Sequence, residues 1–194
     1  MGAERYEVLI VSAKTGRQTK REWNASELVK GVPWLKRMNA QGGDIYLRPL
    51  DGPELVLVDA LDAEAVKDMR RQGLAPAVTI ETSPGRFQAW LKVSDRPLRE
   101  GLRKPAVAGL ARSFSKVGEY GRLAGFTNQQ AEQNRAGQQP YVLASDATRK
   151  VAPVAKKYLA TIELYLQEVA TEKLRQLADE KARRPPPRGR GGWR

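Results

Sequence analysis

The segment LVLVDALD, Leu55 to Asp62, is an apolar run that ends on two carboxylates, Asp59 and Asp62. A carboxylate at the end of a buried strand suits metal-dependent phosphoryl chemistry, because the cations that clamp the entering and leaving oxygens need anionic donors. The chain has no cysteine and no histidine, which removes disulfides, thiolate ligands, the commonest metal ligand and the commonest general base. A metal here would be held by oxygen alone, which points to Mg²⁺ or Mn²⁺. One carboxylate is a weak anchor for such a clamp, so Asp59 needs partners.

The basic residues are the second chemical resource. Net charge is +12, and it is uneven: residues 86–122 hold nine basic and three acidic residues, and residues 181–194 hold six basic and none acidic. Two concentrated basic segments on a balanced body imply contact with a polyanion, since each neutralised phosphate releases condensed counterions. The competing reading is solvated charge that serves solubility.

The elements that position these residues follow from pattern. Tyr6 to Ser12 and Gln18 to Trp23 form an opening hairpin around Lys14 to Arg17. Asn24 with Glu27 caps a helix through Met38, which Pro33 is expected to kink or divide. Asp44 to Arg48 and Glu54 to Asp59 are strands, and Asp62 caps a helix to about Gln72. Ala77 to Glu81 and Phe87 to Val93 flank a turn at Ser83 to Arg86, and a pair of basic helices begins at Pro97 and at Pro105. A short strand within Gly118 to Gly125, a polar loop over Thr127 to Gln139 and a strand at Tyr141 to Leu143 follow. Pro153 then opens a helix of about thirty residues.

This order is an α/β sandwich. Residues 1–150 form the main domain, 151–183 a C-terminal helix, and 184–194 a Pro-, Gly- and Arg-rich tail expected to be disordered. No run reaches the roughly 18 to 20 apolar residues of a membrane span, and the N-terminus lacks a signal peptide, so the expectation is a soluble cytoplasmic protein.

Four stretches taken in order, PWLKRMNAQG (33–42), LVLVD (55–59), ETSPGRFQAW (81–90) and YGRLAGFTN (120–128), resemble the RepB-type plasmid DNA primase domain. The resemblance implies a reduced archaeo-eukaryotic primase core, a compact RRM-like α/β sheet with flanking helices followed here by a long C-terminal helix. It implies primer synthesis on a single-stranded DNA template from nucleoside triphosphates with Mg²⁺ or Mn²⁺. A monomer is expected, with a replicative helicase or a relaxase as further partner.

The family pattern has two adjacent acids after the apolar strand and a third before its aromatic-Gly-Arg-Leu segment. Asp59 matches the first and is the expected metal ligand, but the second position is Ala60, the third is Lys116, and a frequent histidine is Glu119. Asp62 and Glu119 are the candidate replacements. Asp62 competes with its own role as a helix cap, and Glu119 points to the site or to solvent according to register. Lys116 would repel a metal but attract a phosphate, or serve as a lysine at a helix C-terminus.

For nucleotide and DNA contact the resemblance and the residue types nominate Ser83, Arg86, Gln88, Trp90, Lys92, Tyr120, Arg122 and Asn128. Strand alternation puts Gln88 and Trp90 on one face, where Trp90 either stacks a base or joins the core. Trp34 with Lys36 and Arg37 is a second aromatic-basic cluster, with core closure as the alternative. Three functions stay in view: a primase domain that makes primers, a catalytically inactive DNA-binding relative, and a basic RNA-binding or nucleoid-type protein.

Overall fold

Tyr6, Val8 and Ile10 alternate with Glu7, Leu9 and Val11 along β1 (Arg5–Ser12), so the first three side chains share one face. In the computed structural model, which describes residues 2–114 and 116–183, that face is buried with Leu35, Ile45, Leu47 and Phe126. β1 pairs antiparallel with β2 (Gln18–Asn24) and with β3 (Gly43–Pro49), and β3 pairs with the two-residue β8 (Gly121–Arg122), giving the sheet order β2-β1-β3-β8.

α1 (Ala25–Ala40) covers this sheet, capped by Asn24 and Glu27 in the reciprocal box that the sequence predicts. Pro33 does not divide it; the helix forgoes one backbone bond and continues, held by the fully buried Leu35.

The remaining strands form a second antiparallel sheet, ordered β7-β4-β6-β5-β9. They are β4 (Glu54–Leu61), β5 (Val78–Ser83), β6 (Arg86–Ser94), β7 (Val117–Gly118) and β9 (Leu143–Asp146). Val56, Val58, Ala89, Leu91 and Val93 face α2 (Ala63–Arg71), where they bury Val66 and Met69. Leu57, Ile80 and Trp90 lie on the other face and pack with Val142. That face meets β8 so closely that a Cβ on Gly121 would fall 2.9 Å from the Trp90 ring nitrogen, so glycine is required there.

Two elements differ from expectation. The basic helical pair is one helix, α3 (Glu100–Ser113), with Pro105 inside it, because Leu102 and Ala106 bury one side and outweigh the lost bond. The last strand sits at Leu143 to Asp146, while Tyr141 makes only an isolated bridge to Thr127. α4 (Ala155–Arg183) begins as expected, and Ala155, Tyr158 and Leu159 at its start belong to the main core. Its later apolar side chains, including Leu164, Tyr165 and Leu174, are exposed. The segment 184–194, expected to be a disordered tail, lies outside the described residues.

Candidate functional site

β4 leaves regular pairing between Val58 and Leu61, and in that bulge Ala60 takes a φ of 57°. This left-handed conformation is disfavoured for alanine and better tolerated by aspartate, asparagine or glycine. The bulge turns Asp59 toward the cleft between the sheets, and its backbone N–H donates to the Lys116 carbonyl at 2.9 Å.

Both oxygens of the Asp59 carboxylate have partners. Oδ1 accepts from the Ala60 N–H at 2.8 Å and from Gln88 Nε2 at 3.0 Å, while Lys116 Nζ lies 3.1 Å from Oδ2. Burial pushes this carboxyl's pKa up, but the bonds from Ala60, Gln88 and Lys116 together outweigh it and hold the group below its ordinary value.

Gln88 is buried, and its Oε1 accepts the Arg122 N–H at 2.8 Å, so one amide joins Asp59 to the other sheet. The Arg122 guanidinium is only 5% exposed, pairs with Asp44 and lies 4.9 Å from the Tyr46 ring centre. Asp44 also accepts the Gln129 N–H at 2.8 Å. Tyr120 donates to Glu7 at 2.5 Å and accepts from Lys20 at 3.0 Å, and Arg48 contacts the same Glu7 at 3.1 Å.

The polar loop after Phe126 is tied down at its start. Asn39, buried at the end of α1, accepts the Thr127 N–H at 2.9 Å and donates to the Thr127 and Gly43 carbonyls. Asn128 donates to the Thr82 carbonyl at 3.0 Å, fixing the loop to the end of β5.

Asp59, Lys116, Gln88, Arg122, Tyr46, Tyr120 and Asn128 among these groups line a cavity of about 300 Å³. Of the residues nominated from sequence, Asp59, Ser83, Arg86, Gln88, Tyr120, Arg122 and Asn128 all line it, together with Lys116 and Ala60. The Ser83 hydroxyl is buried without a hydrogen-bond partner among the described residues. Glu7, Asn39, Asp44, Tyr46 and Arg48 escaped sequence reasoning. Asn39 lies inside the stretch PWLKRMNAQG, which was its one available signal.

Four nominated residues lie elsewhere. Asp62 caps α2 through the Ala65 N–H at 2.7 Å, and Glu119, 75% exposed, pairs with Arg48 at 3.1 Å. Trp90 is 3% exposed in the core between the sheets, which leaves no face for a base. Lys92 Nζ lies 2.5 Å from an Asp95 carboxylate oxygen. Trp34 packs against the first core, edge-on to Trp23 at 5.8 Å, with Arg21 over its ring. A further hollow of about 360 Å³ near Pro49 and Pro97 offers little chemistry, since its Glu54 is bound to Arg103 at 2.8 Å.

The donor set does not fit the divalent ion that the resemblance implies. Among the described residues Asp59 is the only carboxylate lining the cavity, both its oxygens have partners, and one of these is an ammonium group. Among the described residues no group of three or more acidic, cysteine or histidine side chains could hold a metal. A divalent ion would have to displace Lys116 and still find only one anionic ligand.

Residues 3–169 match the family described as the RepB DNA-primase N-terminal domain. Mobilization protein A of Escherichia coli is 40% identical over 193 residues, covering 95% of this chain and 26% of that protein. The DNA primase of Acidithiobacillus ferrooxidans is 26% identical, covering 94% of this chain and 58% of that protein. The crystal structure of primase RepB′ superposes with a TM-score of 0.79 at 37% identity, covering 94% of this chain and 66% of that one. The catalytic domain of RepB′ in complex with initiator DNA gives a TM-score of 0.76 at 36% identity, covering 87% of this chain and 90% of that one. The archaeo-eukaryotic primase domain of a cyanophage S-2L primase-polymerase, at 13% identity and a TM-score of 0.55, shares the fold. The chain thus spans less than two thirds of the length of either curated relative.

Proposed function

The chain belongs to the RepB DNA-primase N-terminal domain family, and from that premise we propose that it binds single-stranded DNA during plasmid replication without synthesising primers itself. The observation that carries this reading is the Asp59 carboxylate, closed by Ala60, Gln88 and Lys116 where primer synthesis needs an open cluster of acids. DNA binding is supported by the likeness to a catalytic domain crystallised with initiator DNA and by the cations around the cavity.

At the mouth of the cavity Arg86 and Lys116 are exposed, and Gln130 and Gln133 add amides near them. A single strand presents phosphates that such cations can meet and base edges that such amides can meet. Phe87, whose ring is partly buried, also lines the cavity and offers an apolar surface.

We read the protein as a monomer acting in the cytoplasm beside a replicative helicase or a relaxase. The likeness to a mobilization protein supports a partner in plasmid mobilization, and no described helix is long and apolar enough to cross a membrane. Fluorescence-anisotropy titration of a labelled single-stranded oligonucleotide, run beside an assay for incorporation of labelled nucleotides, tests the function. Binding without incorporation is expected; failure to bind any single strand would refute it.

A further inference from the structure

The site that rejects a divalent ion already contains a cation of its own. We propose that the cavity binds the phosphate groups of a nucleoside triphosphate without any divalent metal, using Lys116 and Arg86 for the positive charge. This rests on the reading of the cavity as the DNA-binding site.

Charge inside the cavity favours an anion. Arg122 is matched by Asp44 and Asp59 by Lys116, which leaves Arg86 exposed and without an ion-pair partner among the described residues. Lys116 is 63% exposed, so its ammonium can turn from Asp59 to an incoming phosphate oxygen. Asp59 then keeps the Ala60 N–H and the Gln88 amide, and no buried charge is left bare.

The Ser83 hydroxyl adds an independent indication. It is buried in a cavity wall without a partner among the described residues, next to the turn that carries Arg86. Buried polar groups are normally satisfied, and a phosphate oxygen or its bound water would satisfy this one after a small rotation of the side chain. A volume of about 300 Å³ lies at the small end of ligand sites and suits a mononucleotide better than a folded nucleic acid. Gln130 and Gln133, whose side chains make no hydrogen bond among the described residues, are placed to meet a base.

The test is calorimetric titration of the full chain with dTTP, once in EDTA and once in Mg²⁺, with a 5′-hydroxyl oligothymidylate as a separate ligand. The account expects dTTP affinities within about threefold of each other in the two buffers, and a loss of about tenfold or more in Lys116→Ala and in Arg86→Ala. Asp59→Asn should bind dTTP in EDTA at least as tightly as the wild type, because it frees Lys116; a metal ligand at Asp59 predicts instead that the variant loses affinity in Mg²⁺. Lys116→Asp should bind dTTP only with Mg²⁺, and thermal melting confirms that each variant is folded. Binding of dTTP that requires Mg²⁺ in the wild type overturns the inference and leaves the nucleotide site standing. Binding of oligothymidylate alone also overturns it and leaves the DNA-binding function standing.

Discussion

Asp59 and Lys116 are joined twice: the Asp59 N–H donates to the Lys116 carbonyl at 2.9 Å, and the Lys116 ammonium lies 3.1 Å from the Asp59 carboxylate. The main-chain bond lies one residue beyond the pairing of β4 with β7, which sets Leu57 opposite Gly118 and Val58 opposite Val117, and a backbone bond does not depend on the side chain at 116. The sheet therefore delivers the side chain of residue 116 to Asp59, and its identity decides whether the pair attracts a metal or an anion. An acid at that position would share a cation with Asp59, whereas lysine neutralises Asp59 directly.

The Asp59 contacts should be visible in acid unfolding. The folded-state pKa is depressed, so the contacts contribute stability above the unfolded value, 3.8 for a free aspartate, and lose it as pH falls through the lower folded value. Urea denaturation of Asp59→Asn and wild type should show a gap near neutral pH that narrows below about pH 4. A gap constant with pH would place the carboxylate outside the stabilising network.

Ala60 carries backbone strain that glycine would relieve. Ala60→Gly should be neutral or stabilising by up to about 1 kcal/mol, whereas Ala170→Gly on the exposed face of α4 should destabilise by about 1 kcal/mol. Equal destabilisation of both would mean that the positive φ at residue 60 carries no strain.

Gln88 holds both sheets at the cavity floor. Gln88→Leu leaves the Arg122 N–H and one Asp59 oxygen short of a partner, and should lower stability by about 2 kcal/mol in chemical denaturation. A change under about 0.5 kcal/mol would show that water replaces the amide without loss.

Arg86 and Arg122 are both phosphate contacts by sequence, but their surroundings make them behave differently. Arg86→Ala should leave the melting temperature nearly unchanged, weaken single-stranded DNA binding and make the log-log salt slope shallower by about one unit. Arg122→Ala leaves Asp44 buried without its counter-charge and should destabilise by about 3 to 5 kcal/mol. Equal effects of the two substitutions on DNA affinity in folded protein would remove this distinction.

Local chemistry makes much of this legible in the sequence. The Asn24 and Asp62 caps, the Ser83 to Arg86 turn and the acid at the end of β4 each depend on a few neighbouring residues. Family resemblance and residue type together point to seven of the residues that line the cavity, from Asp59 to Asn128. Alternation along β6 correctly puts Gln88 and Trp90 on one face, yet cannot show that this face is closed over Trp90 by β8 and open at Gln88. The same limit hides the cluster of Glu7, Arg48 and Tyr120, which meet only through pairings across the first sheet. Pro105 misleads because helix propensity is weak against the burial of Leu102 and Ala106.

Primer synthesis decides whether this cavity holds the metal site of a working primase. Wild-type protein, saturated with a single-stranded template and supplied with labelled deoxynucleotides in Mg²⁺ or Mn²⁺, should form no extended product. Ala60→Asp combined with Lys116→Asp, which supplies two carboxylates and removes the ammonium group, should raise product formation by about tenfold or more, equivalent to about 1.4 kcal/mol of transition-state stabilisation. Primers made by the wild type at the rate of the double variant, and abolished by Asp59→Ala, would show that the cavity holds a working metal site despite Ala60 and Lys116.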